Sequence, residues 1–167
     1  MGIPFLDTLS GAFTTDVIII LAVFFLFALY SVRYGKSRSI AGIISLYIGM
    51  LLFLSFPYLE EATFLKSSET QVTLSQIVVF LVGVIFVHTI ISRSVLSDYP
   101  MQPLLKYLQV ALLSASGTAL LFAFAYHTLP VATLYNFDAS IDNLFSSQYF
   151  FWWLILPLVA LFITTRR

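Results

Sequence analysis

The residues able to do chemistry are few in this chain, and they stand far apart. Two are histidines, His88 and His127. An imidazole can relay a proton near neutral pH or bind a metal. His88 lies inside an apolar run, about one helical turn from its end, and Gln76 precedes it in the same run. A proton relay or a ligand contact is one reading of this pair. A hydrogen bond across a helical bundle is the plainer one. His127 closes a different apolar run. Alternating membrane crossings would place the two histidines at opposite ends, so no shared metal site is expected. The chain has no cysteine, which removes disulfides, thiolate metal sites and cysteine nucleophiles. Glu60 and Glu61 carry enough charge for a cation, but a solvated turn is the simpler reading.

A further candidate is Ser114-Ala115-Ser116-Gly117. It is similar to the serine motif of rhomboid intramembrane proteases, and that resemblance would make Ser116 a nucleophile. Such a serine needs a base within hydrogen-bond reach. His127 lies farther along the same helix, roughly 16 Å away at about 1.5 Å per residue. His88 belongs near the opposite end of its own helix, and the motif's leading glycine is Ser114 here. Packing by small residues is the expected role. No enzymatic activity and no cofactor are expected.

The elements that would position these residues follow from composition. Apolar residues make up 60% of the 167, and charged residues only 10%. A soluble domain carries about 25% charged residues, so the excess of apolar surface calls for lipid as solvent. The formal net charge is zero, so nothing favours a nucleic-acid partner. The chain reads as all-α: one integral membrane domain, a polytopic helical bundle. Its five spans cover residues 17–32, 40–58, 74–91, 104–126 and 149–165. Four spans with residues 149–165 re-entrant is the alternative. In lipid every backbone group must bond internally, which favours helices. Residues 1–15 read as a short amphipathic tail in the interface, with no cleaved signal.

The spans differ in character. Asp16 opens the first, where a helix dipole favours a carboxylate and the side chain can reach the interface. No polar side chain follows it until Tyr30, so this helix can face lipid nearly all round. The second carries Ala41, Ser45 and Gly49 at four-residue spacing, and the fourth carries Ala111, Ala115 and Ala119. Such stripes of small residues let helices approach closely, so the second and fourth spans are expected innermost. In residues 137–145, Phe137, Ile141, Leu144 and Phe145 oppose Asp138, Asp142 and Asn143. That pattern predicts a short amphipathic helix on the membrane surface. The fifth span opens with an aromatic belt of Tyr149, Trp152 and Trp153. Pro157 should kink it by freeing the Trp153 carbonyl.

Charge predicts the orientation. Alternating crossings collect Arg33, Lys36, Arg38, Arg93, Lys106, Arg166 and Arg167 on one side and only Lys66 on the other. By the positive-inside rule the N-terminus is outside and the C-terminus cytoplasmic. The acids divide the opposite way, with Asp98 alone on the basic side.

The order of features in the first half resembles the CvpA (colicin V production) family of small bacterial inner-membrane proteins. The shared pattern is an acidic residue before the first helix, then a basic turn containing glycine, then a helix with small residues. Here these are Asp16, then Arg33-Tyr34-Gly35-Lys36-Ser37-Arg38, then Ala41, Gly42, Ser45 and Gly49. The likeness covers about residues 14–93. The chain departs from the pattern in Tyr34 and in its tryptophan-bearing fifth span. The resemblance implies a non-enzymatic protein of the inner (plasma) membrane that assists envelope integrity, export or membrane-complex assembly. It supplies no catalytic residues. The expected partners are the lipid bilayer and other membrane proteins or further copies of the chain. A small-solute transporter or channel with a path beside His88 and Gln76 is the alternative, and an intramembrane hydrolase acting through Ser116 comes third.

Overall fold

A single glycine makes the first turn. Gly35 takes φ 85°, a left-handed conformation that costs a residue without a Cβ little. Helix α1 (Thr15–Tyr34) therefore ends, and α2 (Lys36–Leu54) begins, with one residue between them. The basic turn is thus mostly helical: Arg33 belongs to α1, and Lys36 and Arg38 to α2. The second helix begins four residues before the expected 40 and stops before the expected 58. Pro57 lies just beyond it, and a residue preceding proline is steered out of the helical region. The computed structural model describes residues 15–58, 68–94, 103–129 and 134–165. The expected tail over residues 1–14, together with Glu60, Glu61, Lys66, Asp98, Arg166 and Arg167, lies outside the described residues.

The remaining helices are α3 (Glu69–Ser94), α4 (Pro103–His127), α5 (Ala139–Leu144) and α6 (Phe150–Thr165). All regular structure among the described residues is helical. Pro103 occupies the first position of α4, where its missing N–H costs nothing and its fixed φ suits a helix. Asp138 caps α5 by accepting the Ala139 N–H at 2.9 Å.

Among the described residues four helices are long and apolar enough to cross a membrane: α1, α2, α3 and, from Lys106 onward, α4. The 16 residues of α6 reach roughly 24 Å at about 1.5 Å per residue, against about 30 Å of hydrocarbon. Burial separates inner from outer helices. Half of the α4 span and 44% of the α2 span are buried, against 11% in α1 and 17% in α3. The closest pairings are α2 on α3 and α1 on α4, followed by α4 on α6. One apolar cluster joins Ile43, Leu46, Met50 and Phe53 of α2 to Phe80 of α3 and Leu113, Leu120 and Phe124 of α4. A second joins Phe122 and Ala123 of α4 to Ile141 and Phe145 around α5, with Ile19 and Val23 of α1 against it. So α5 packs on the bundle itself, through Ile141 and Phe145, while Leu144 is exposed.

The small residues fall on two different rows. Ala41, Ser45 and Gly49 are all buried. A Cβ built on Gly49 would lie 2.5 Å from Val84 Cγ2 and 3.2 Å from Val84 Cα, so α3 sits where only hydrogen fits. On α4, Ala111 and Ala115 are exposed and Ala119 is half-buried. The alanine ladder expected to pack instead turns outward at Ala111 and Ala115 and comes partly under cover at Ala119. The buried row lies beside it, through Leu113, Ser114, Gly117 and Leu120. The physical reason is Phe27 of α1, whose ring would come within 2.8 Å of a Cβ on Gly117. The large ring needs the glycine, and that choice turns the alanines away.

Candidate functional site

Polar side chains gather at the two ends of the bundle, and hydrogen bonds show what each group does. At the end where α1 begins, Asp16 is buried. Its Oδ1 accepts the Tyr135 hydroxyl at 2.6 Å. Its Oδ2 accepts the Asp138 N–H at 2.7 Å. A buried carboxylate needs such donors to offset lost hydration. The residue expected to reach out to the interface is therefore the anchor of the segment between α4 and α5. Tyr135, outside the helices, has its hydroxyl pKa raised above 10.0, chiefly by the hydrogen bond to Asp16, with desolvation and the carboxylate's charge adding to it. Nearby, Tyr126 donates to Asp142 Oδ1 at 3.0 Å. Its ring stacks on Phe145, which stacks in turn on Trp153. Trp153 Nε1 donates to the Leu144 carbonyl at 2.8 Å, and His127 Nε2 lies 3.0 Å from the Phe145 carbonyl. His127 and Trp153 thus both hold the C-terminal end of α5. Among the described residues no three of His, Asp and Glu group closely enough to hold a metal ion.

At the other end Tyr30 of α1 meets His88 of α3. The hydroxyl lies 2.7 Å from His88 Nε2, and the rings meet edge to face with centroids 5.8 Å apart. The backbones of α1 and α3 do not pack closely, so this polar pair bridges a gap between helices. Among the described residues His88 Nδ1 is buried without a hydrogen-bond partner, and so is Gln76 Oε1. The structure does not bring Gln76 to His88: twelve positions along α3 amount to roughly 18 Å. Tyr30 continues outward through Tyr34, whose ring lies 5.4 Å below the Arg38 guanidinium. Arg33 and Arg93 are exposed at this same end, where α1 and α3 finish.

The hydroxyls of the rhomboid-like run turn inward on their own helix. Ser114 Oγ donates to the Val110 carbonyl and Ser116 Oγ to the Leu112 carbonyl, each at 2.7 Å. His88 and His127 are bonded elsewhere, so Ser116 has neither as a base. No family model, curated protein or solved structure matches this chain.

Sequence reasoning found His88 but not its partner, because a tyrosine at the end of an apolar helix reads as an interfacial anchor. It also missed Tyr47, whose hydroxyl donates to the Leu154 carbonyl of α6. Pro157 stands buried inside α6 and has no N–H to offer the preceding turn. That proline leaves the Trp153 carbonyl without its helical donor and does not account for the bond at Leu154, which no residue type announces.

Proposed function

We propose that this chain is a non-enzymatic integral protein of the inner membrane, CvpA-like in role, that assists envelope integrity, export or the assembly of a membrane complex. On this reading α6 completes five spans, with the N-terminus outside and the C-terminus cytoplasmic. The observation that carries the reading is how the interior hydroxyls are used. Ser45, Ser114, Ser116, Thr118 and Thr164 each donate to the carbonyl four residues back. Groups spent in this way support helix packing and leave little for a solute to bind. The segregation of Arg33, Lys36, Arg38, Arg93 and Lys106 at one end supports the orientation.

The test is a strain lacking the chain, challenged with a detergent or dye that an intact envelope excludes. Resistance should fall in its absence. The native chain and a His88→Ala variant should restore it, and Gly49→Leu should not. A small-solute transporter is the second reading, favoured by the unpartnered His88 Nδ1 and Gln76 Oε1. Solute flux in vesicles of the purified protein, abolished by His88→Ala, would replace the first reading with the second.

A further inference from the structure

The end of the bundle that holds Gly35 contains a small cavity lined by Ser31, Gly35, Lys36, Lys106, Gln109 and Leu113. Its volume is about 20 Å³, enough for one water-sized group by the usual threshold of about 10–15 Å³. Ser31 is only 3% exposed, and among the described residues its Oγ has no hydrogen-bond partner. A buried hydroxyl left unpaired is uncommon and calls for an acceptor. Two lysines reach the cavity from different helices, Lys36 from α2 and Lys106 from α4, and among the described residues no acidic side chain lines it. Gly35 offers α2 no side-chain cap, and the first turn of α2 carries no acid. The positive end of the α2 dipole therefore faces this region with no acid of its own first turn beside it. The Gln109 carboxamide, whose Oε1 is also unpartnered, can turn its NH₂ into the same space.

The polar side chains around the cavity, Ser31, Lys36, Lys106 and Gln109, can each offer a proton or positive charge, while Val110 and Leu113 form its aliphatic wall, and the cavity takes one oxygen atom. We propose that it binds a phosphate group, with one oxygen inserted beside Ser31 Oγ and the remaining charge held at the mouth by Lys36 and Lys106. The phosphate can belong to an anionic phospholipid or to a soluble phosphate compound, and the chemistry of recognition is the same. The proposal does not depend on the role given above.

The test uses the full-length chain purified in a neutral detergent. Dioleoyl phosphatidylglycerol is added in one arm, with dioleoyl phosphatidylcholine as reference, and inorganic phosphate in another. Native mass spectrometry reads lipid retention, and the shift in melting temperature reads phosphate. A lipid source gives retention of one phosphatidylglycerol in preference to phosphatidylcholine. A soluble source gives stabilisation by inorganic phosphate instead. In either arm the Lys36→Gln/Lys106→Gln double variant should bind roughly 25-fold more weakly, the product of about fivefold for each basic residue facing a phosphate. Ser31→Ala should weaken binding with both lysines present. Arg93→Gln removes a charge at the same end outside the cavity and should leave binding within about twofold of native. Unaltered circular-dichroism melts without ligand show that the variants are folded. Should Ser31→Ala misfold, the two lysine substitutions, tested singly, decide the question. Binding in neither arm, or loss in Arg93→Gln equal to that in the double variant, overturns the proposal and leaves a water in the cavity.

Discussion

The Asp16 carboxylate and the Tyr135 hydroxyl, 119 positions apart in sequence, meet at 2.6 Å where the first helix begins. With the Asp138 N–H on the other oxygen, this contact fixes the segment that leads into α5. Asp16→Ala removes the acceptor from both donors. Hydrogen bonds to charged groups contribute about 1.5–3 kcal/mol each, so the chain in detergent should lose stability of at least that order. Chemical unfolding followed by circular dichroism measures it. A change within experimental error would mean that the contact adds nothing to the fold.

The same pair sets a pH dependence. Tyr135 has its pKa raised above 10.0 in the folded chain, first by its hydrogen bond to Asp16. A group with a raised folded pKa contributes stability that is complete below its unfolded value and is lost as pH rises through the folded one. The native chain should therefore keep this contribution up to about pH 10 and lose it above. Tyr135→Phe should lack it at every pH. Melting curves of the two chains should differ below about pH 10, and the difference should narrow as pH rises above it.

Gly49 and Ala115 look equivalent as members of small-residue stripes, but they should respond differently. Gly49→Leu drives a side chain into the Val84 backbone, and overpacking costs about 1–3 kcal/mol or more. Ala115→Leu adds its bulk on an exposed surface and should leave the isolated chain's stability within about 0.5 kcal/mol of native. Gly117→Leu, against Phe27, should resemble Gly49→Leu. Unfolding in a graded denaturing detergent ranks the three.

The Tyr30–His88 bridge joins two membrane-length helices near one end of the bundle, and such interhelical hydrogen bonds contribute on average about 0.6 kcal/mol and at most about 1.7. Tyr30→Phe and His88→Ala should each destabilise within that range. The double variant should cost no more than the larger single one plus its own packing loss. Strict additivity in this cycle would show that the two side chains do not interact.

Much of this architecture was legible because apolar length and charge segregation are long-range signals that survive local ambiguity. Residues 104–126 differ from the observed α4 by one residue at each end. The tight turn was harder: a cluster of arginine and lysine reads as loop, yet a single glycine at φ 85° lets both helices run through it. The α4 face was misassigned because alanine and glycine count alike as small. Only the position of Phe27 in space shows that Gly117 is the residue that must lack a side chain. The Asp16 anchor was hidden for a similar reason. Its partners lie more than a hundred positions away, and one of them is a backbone N–H that no residue type announces.

The crossing number turns on α6. Its length falls several ångström short of the hydrocarbon thickness, but mismatch costs only a fraction of a kcal/mol per ångström. Arginine side chains after it can extend to the interface. Tyr47 holds the Leu154 carbonyl from α2, and Thr164 and Leu161 near the far end of α6 are buried, so the helix is embedded along its length. Because the chain has no cysteine, single cysteines report accessibility without background. In the proposed five-span arrangement, Tyr34→Cys, Ser94→Cys and Arg167→Cys react with a membrane-impermeant maleimide only from the cytoplasmic side. Ser68→Cys and Ser147→Cys react from outside. Labelling of Arg167→Cys from outside, with Tyr34→Cys still cytoplasmic, would make α6 re-entrant and the bundle four-spanning. It would also leave two arginines on the side that the distribution of every other basic residue but Lys66 opposes.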